Sequence, residues 1–304
     1  MDSMIKNISI WLSSMRLRTL PLSLSGIILA SCLAAYQGYF NWAIFVLSIL
    51  TTLSLQILSN LANDYGDGVK GTDNQDRIGP KRAIQSGQIT PQKMLVAIKI
   101  NALICIVLSV TLIFTAFGVK QFWFIVIFLS LGLAAVIAAI KYTVGENAYG
   151  YRALGDVFVF IFFGLVSVLG CYFLYAKSID IIVLLPACIV GLLSVGVLNL
   201  NNMRDIVSDK KSNKITLAVK LGSKKIKNYH YFLVLTAVIL TFVFTLLHYN
   251  SPLNFMFLLT YIPLFFHLQK VYKNSSPKDL NPELKKLALT TCALAILLGL
   301  GFIL

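Results

Sequence analysis

Charge is scarce in this sequence. Only 12% of its 304 residues are Asp, Glu, Lys or Arg, about half of the roughly 25% that solvates an ordinary soluble domain. That shortage excludes a cytosolic globule, a disordered chain and a nucleic-acid-binding domain. The net charge of +14, from 26 basic and 12 acidic residues, points to an anionic partner only where the basic residues form one patch. Here they lie between long apolar runs. The five cysteines, Cys32, Cys105, Cys171, Cys188 and Cys292, all sit inside such runs without a CxxC pair. That favours small packing residues over a disulfide framework or thiolate metal site. The three histidines, His230, His248 and His267, are dispersed and are expected to pack or to sit at interfaces. No cleaved signal peptide is expected, because the first apolar stretch lacks an A-x-A-like exit and many further stretches follow it.

In place of charge there is hydrophobicity. Hydrophobic residues make up 58% of the chain and the mean hydropathy is +0.81. Nine apolar stretches stand out, at about 19–39, 42–62, 94–118, 121–140, 154–176, 179–200, 229–248, 252–269 and 287–304. Each is close to the roughly 20 residues that carry an α-helix across a bilayer core about 30 Å thick. None shows the alternation of a membrane β-strand. The expected fold is all-α: a polytopic membrane bundle of about nine transmembrane helices, one domain over residues 1–304, with a cavity facing the cytoplasm.

The connections set the orientation. Four short ones carry only Lys120 and Lys177, while the other 24 basic residues lie toward the opposite side. Positive-inside bias then puts the N-terminus and the long loops in the cytoplasm, and an odd number of spans puts the C-terminus outside. Eleven of the twelve acidic residues share the cytoplasmic side, Asp180 being the exception. The chemistry faces one compartment.

Two helix ends on that side carry it. At the end of the second stretch, Asn60, Asn63, Asp64 and Asp67 fall at i, i+3, i+4 and i+7, one face of a helix. At the end of the sixth, Asn202, Asp205 and Asp209 share a face, with Asn201 four residues before Asp205. Bare carboxylates at a membrane boundary repel one another and are costly to desolvate. Mg2+ removes that cost, since it takes carboxylate and amide oxygens and completes its shell with substrate phosphate. Basic residues accompany both faces: Lys70, Arg77, Lys81 and Arg82 after the first, Arg204 within the second, Lys210, Lys211 and Lys214 after it. Lys141, followed by Tyr142 at the end of the fourth stretch, and Arg204 are the better-placed cations. Asp156 is an acid just inside the fifth stretch, and such acids are functional candidates by default. These parts suit ionisation of a lipid diphosphate, in which metal and cations stabilise the leaving group and a dry, aromatic-lined cavity shelters the allylic cation.

Four segments carry a resemblance: Trp11–Pro21 (WLSSMRLRTLP), Asn60–Gly87 (NLANDYGDGVKGTDNQDRIGPKRAIQSG), Tyr149–Gly164 (YGYRALGDVFVFIFFG) and Leu198–Gly222 (LNLNNMRDIVSDKKSNKITLAVKLG). With Asn281–Lys285 (NPELK) near the end, they resemble the UbiA superfamily of intramembrane prenyltransferases. Within it they are similar to the branch that prenylates 1,4-dihydroxy-2-naphthoate in bacterial menaquinone synthesis. The resemblance implies Mg2+-dependent transfer of a polyprenyl group from its diphosphate to the naphthoate, with loss of diphosphate and CO2, in the bacterial inner membrane. It implies Asp64, Asp67, Asp205 and Asp209 as magnesium ligands, with Asn63 and Asn201 beside them. Lys70, Arg82, Lys141 and Arg204 become diphosphate contacts, with Lys141 also in the catalytic set. Arg18, Asn60 and Tyr142 become the acceptor contacts. Asp73 stands six residues after Asp67, a spacing typical of the naphthoate branch, and is a weaker candidate ligand, as Asp156 is a weaker candidate overall. A sister enzyme with another aromatic acceptor shares all of this except the acceptor pocket. A secondary transporter also repeats motifs, but its binding site lies at the bilayer midplane, whereas these acids cluster at one face.

Overall fold

Helices satisfy their own backbone polar groups, and in lipid nothing else will; this chain folds accordingly. A computed structural model describes residues 2–75 and 77–304, with side chains from residue 8 onward. Helix α1 (Asp2–Met15) is joined by a 3-10 turn, Leu17–Thr19, to α2 (Leu20–Tyr36). Then come α3 (Trp42–Val69), α4 (Pro91–Phe117) and α5 (Phe122–Lys141). The next crossing is composite: α6 (Gly155–Val159), a π-helical segment Phe160–Gly170, and α7 (Cys171–Ala176). It is followed by α8 (Leu184–Arg204), a short α9 (Ile206–Lys211) and α10 (Leu217–Leu247), bent at Gly222. A 3-10 segment, Pro252–Thr260, runs into α11 (Tyr261–Lys273), and α12 (Leu280–Ile303) ends the chain.

Local chemistry sets the ends. The Asn41 side chain accepts from the N–H groups of Ala43 and Ile44 at 2.9 and 3.2 Å and starts α3. Thr90 caps α4, with Pro91 in the first turn where its missing N–H costs nothing. Thr216 caps α10 through the Val219 N–H. The first turns of α10 and α12 carry charge, so hydropathy marks their membrane portions and misses their beginnings.

Among the described residues, eight helices are long and apolar enough to cross a membrane. The chain is a multi-pass membrane protein. The remaining stretch, 252–269, is divided: its first half is 3-10 helix, opened by Pro252 and a Ser251–Asn254 capping box, and only its second half is α. Outward faces are apolar, as at Leu103 on α4 and Phe232 and Ile239 on α10. Inward, one buried cluster joins α2, α7, α8, α10 and α12. A second joins α3, α4 and α5. The functional cavity lies between them.

Candidate active site

The cavity has a volume of about 950 Å3 and two characters. Its mouth is lined by eight lysines and arginines against two aspartates, Asp64 and Asp67. Deeper, it is walled by Leu55, Leu112, Ile113, Phe128, Leu131, Phe162, Phe163, Val166 and Leu174. Along α3 it reaches from Asp67 to Ser48, which at 1.5 Å per residue is about 28 Å. An anionic head and a long apolar tail fit such a shape. Part of the wall is the π-helical segment, which turns Phe162, Phe163, Val166, Ser167 and Gly170 inward. π-Helix is rare and concentrates at functional sites, and nothing in the hydropathy pattern announces it.

The first acid face sits where α3 emerges. Gly66 permits this: a Cβ there would stand 2.5 Å from Thr143 Oγ1, so only glycine lets the segment after α5 lie against α3. Thr143 in turn donates to the Ala62 carbonyl and to Asn63 Oδ1. The loop after α3 folds back over the acids. Asp64 accepts from the Ala83 and Ile84 N–H groups at 3.2 and 3.4 Å. Asp67, 1% exposed, accepts from Arg82 at 2.9 Å and Tyr151 at 2.8 Å, with Lys214 Nζ at 3.3 Å. Asp73 pairs with Arg77 and Arg82 at 2.9 and 3.0 Å. Asp67 and Asp73 raise the Arg82 guanidinium's pKa against the opposing effect of its burial, the largest influence on it.

The second face is held differently. Arg204, 3% exposed, grips its neighbour Asp205 through Nε and Nη2 at 2.9 and 2.5 Å. The same guanidinium donates to Asn201 Oδ1 at 2.7 Å and to Asn281 Oδ1 at 2.8 Å. Asp209 is buried and its carboxyl is pushed up to about 7, first by burial and then by the Asp205 and Asp67 charges, against the pull of Lys214. A small polar space of about 10 Å3, lined by Asp67, Asp73, Asn201, Asp205, Asp209 and the cations beside them, joins the two faces. That is roughly the room one water or small ion needs.

Among the described residues, no three His, Cys, Asp or Glu side chains converge closely enough to hold a metal as they stand. The cause is visible: Asp67, Asp73 and Asp205 are turned to arginine or lysine and Asp64 to backbone N–H groups. The donor set nonetheless fits Mg2+. It is made of hard oxygens, it spans both faces of one small polar space, and it includes the buried Asp209 carboxyl.

The expected site residues divide. Asn63, Asp64, Asp67, Arg82, Asn201 and Arg204 line the cavity, and Asp73, Asp205 and Asp209 line the space behind it. Tyr142 also lines the cavity, and burial beside the acids raises its phenol's pKa. Lys141 and Lys70 do not line it. Lys141 is exposed at the end of α5. Lys70 is exposed too, donates to the Gly145 carbonyl at 2.8 Å and lies 4.1 Å over the Tyr151 ring. Lys141 is the last residue of α5 and Lys70 follows the last residue of α3, and residue spacing along one helix does not reveal that both lie outside the lining. Asp156 is buried beside Tyr229 and away from the cavity, with Oδ1 lacking a hydrogen bond.

Two arginines beside the turn before α2 are placed differently. Arg18 lies on the cavity rim and is exposed. Arg16 adopts the left-handed conformation, φ 51° and ψ 56°, and its buried Nη2 has no hydrogen-bond partner. Asn60 anchors this turn, donating to the Met15 carbonyl at 2.8 Å and to Thr19 Oγ1 at 3.2 Å. Tyr151, Asn281 and Lys285 also belong to the site or its support, and sequence reasoning missed their roles, because they come from loops and helices far from the acids along the chain. Lys214, grouped by sequence with the second face, reaches across to Asp67 of the first.

A family model described as the UbiA prenyltransferase family matches residues 24–301. The chain is 40% identical over 303 residues to 1,4-dihydroxy-2-naphthoate octaprenyltransferase of Escherichia coli (strain K12), covering 100% of this chain and 96% of that protein. It is 36% identical to the protein of the same name from Mycobacterium tuberculosis, over 78% of each. Among solved structures it is similar to an apo UbiA homolog from Aeropyrum pernix K1, with TM-score 0.65, 17% identity and 96% and 97% of the two chains covered. It is also similar to a UbiA homolog from Archaeoglobus fulgidus bound to GPP and Mg2+, with TM-score 0.62, 16% identity and 94% and 99% covered.

Proposed function

The chain belongs to the UbiA prenyltransferase family, and from that premise we propose that it transfers a polyprenyl group from polyprenyl diphosphate to 1,4-dihydroxy-2-naphthoate, with loss of diphosphate and CO2. The observation that carries this reading is the two-part cavity, a cationic mouth with two acid faces leading into an apolar tunnel. The relatives named 1,4-dihydroxy-2-naphthoate octaprenyltransferase support the acceptor. We read residues 1–304 as one intramembrane domain.

Asp64, Asp67, Asp205 and Asp209, with Asn63 and Asn201, are the ligands this reading assigns to magnesium, and Asp73 is a further candidate. Bound there, Mg2+ would neutralise charge on the diphosphate as the allylic C–O bond breaks. The chain's own part is to supply cations to the same oxygens. Arg82, Arg204 and Lys214 already face the acids, and a diphosphate entering between the faces meets them without a large rearrangement of charge. The apolar walls around Phe162 and Phe163 exclude water from the allylic cation, and the electron-rich diol ring traps it. Tyr142 and Arg16 border the space the ring would take, with Arg16 offering a guanidinium to its carboxylate.

The orientation follows from charge. The segment 252–273 spans about 18 Å as nine 3-10 residues and about 20 Å as thirteen α residues, enough for a core of about 30 Å. It counts as a crossing, giving nine, a cytoplasmic N-terminus, an external C-terminus and a site facing the cytoplasm. The deciding experiment is purified protein with Mg2+, a prenyl diphosphate, and naphthoate and hydroxybenzoate acceptors in parallel. Product from the naphthoate supports the reading; product from hydroxybenzoate alone replaces it with a sister activity.

A further inference from the structure

A chain of buried polar side chains runs behind the cavity wall, and none of its members lines the cavity. It begins at His230 on α10, whose Nε2 lies 2.9 Å from Nε2 of His267 on α11. The other ring nitrogen of His267 lies 2.7 Å from Oε2 of Glu283, in the first turn of α12. Lys286 donates to the remaining carboxylate oxygen at 2.9 Å. His230, His267 and Glu283 are 0%, 0% and 3% exposed. The two histidines expected to pack independently are therefore one unit, assembled from three helices.

Such a chain is a poor device for stability alone. Apolar side chains of the same volume commonly serve a core as well as a buried ionic group or better. What hydrogen bonds add is direction. The Glu283 carboxylate accepts, so His267 carries its proton on Nδ1 and accepts from His230 at Nε2. Lys286 balances the carboxylate. Every link then has one geometry, and the turn that bears Glu283 is held at a fixed place.

That turn faces the active site on its other side. Asn281 and Lys285, two residues either side of Glu283, both line the cavity. Asn281 Oδ1 accepts from Arg204 Nη1, and Arg204 grips Asp205. The far end of the chain rests on the same structure, because a Cβ on Gly196 of α8 would lie 3.7 Å from the His230 ring. Helix α8 carries Asn201 and Arg204.

We propose that His267 and Glu283 are positioning residues of the diphosphate site: they fix the first turn of α12 so that Asn281 orients Arg204, and Arg204 orients Asp205. The inference rests on the reading of that site as a metal–diphosphate site. It is tested on the full chain in detergent by Mn2+ titration with inorganic pyrophosphate, followed by electron paramagnetic resonance, alongside thermal melting and prenyl-transfer kinetics. His267→Phe and Asn281→Ala should each weaken Mn2+ binding about tenfold, the scale of a lost outer partner of a metal ligand. The double variant should be no weaker than Asn281→Ala alone, since the two act through one path. Glu283→Gln keeps an acceptor for His267 and should bind nearly as wild type, whereas Glu283→Ala should not. Leu298→Ala, a core truncation elsewhere on α12, should lower the melting temperature without moving Mn2+ affinity. Should His267→Phe not fold, the Glu283 pair carries the test. The proposal is overturned if the folded His267 and Glu283 variants melt lower yet bind Mn2+ as wild type does, or if the losses multiply in the double variant. A wild-type protein that binds no Mn2+ with pyrophosphate overturns the reading of the site itself, which separates the two failures.

Discussion

Arg16 offers the sharpest test, because stability and function should move in opposite directions there. A left-handed backbone costs a non-glycine residue about 1–2 kcal/mol, and Arg16 has φ 51°. Glycine removes that cost and returns about 0.5–1 kcal/mol of it as chain entropy. The substitution also removes a guanidinium whose buried Nη2 has no partner, a further desolvation cost. Arg16→Gly should therefore melt at the same temperature as wild type or higher. A charge-assisted contact to the acceptor carboxylate is worth about 1.5–3 kcal/mol, so the KM for dihydroxynaphthoate should rise about ten- to hundredfold. The KM for prenyl diphosphate should stay nearly constant. Arg16→Lys should lose most of the same contact, since an ammonium cannot reproduce the two-pronged geometry of guanidinium on carboxylate. Arg18→Lys should do little, because Arg18 is on the exposed rim. The assay is steady-state kinetics with each substrate varied, beside thermal melting in detergent. An unchanged acceptor KM in Arg16→Gly refutes the reasoning, and an equal rise for both substrates moves Arg16 to the diphosphate.

Three further outcomes follow from the same geometry. Asp64→Asn and Asp205→Asn keep shape but remove a charge; turnover should fall by about a hundredfold or more, the upper range for losing even an outer partner of a metal ligand, while the proteins remain folded. Full activity of both in excess chelator would remove the metal from the mechanism. Lys141→Ala should leave kcat and both KM values near wild type, since that side chain is exposed and outside the cavity. Arg82→Ala, which leaves Asp67 to Tyr151 and Lys214 and Asp73 to Arg77, should lower stability by less than the roughly 3–5 kcal/mol of a fully unpaired buried charge yet remove most of the activity. Reporter fusions after Tyr39, Gly118, Ala176 and His248 should read external, those after Gly87 and Lys214 internal, and a C-terminal fusion external. An internal C-terminus means that 252–273 does not cross.

The parts of this molecule that were legible beforehand share a cause: they are local. Hydropathy reports on about 20 neighbouring residues at once, so eight of the nine stretches could be read as helices long enough to cross a membrane. Helical spacing reports on residues three or four apart, so the set on α3 could be read. The second set instead straddles the break between α8 and α9 at Asp205, and its Asn202 lines neither space. Where local winding departs from α, the reading slips. The 3-10 start at Pro252 and the π segment at Phe160–Gly170 carry the same hydropathy as their neighbours. Long-range pairings left no trace at all. Lys214 reaches Asp67 from 147 positions along the chain, Asn281 reaches Arg204 from 77, and His230 reaches His267 from 37.

Two of those invisible pairings follow one electrostatic rule. A buried carboxylate is costly to desolvate alone, and at these two places the fold meets that cost with help from other elements. Asp67 from α3 is met by Lys214 from the loop after α9, and the Arg204 that holds Asp205 is itself oriented by Asn281 on α12. Charges placed this way are counterions with a second use. The cations that keep the acids quiet lie within reach of any anion entering the mouth, and an acid released by its cation is free for a divalent ion. Reading the cations as permanent structural partners predicts that pyrophosphate and Mn2+ each bind as well alone as together. Reading them as shared partners predicts strong mutual dependence, because each ligand frees the groups the other needs. Titrating each in the presence and absence of the other measures that coupling directly, and independent binding would leave the salt bridges as scaffolding only.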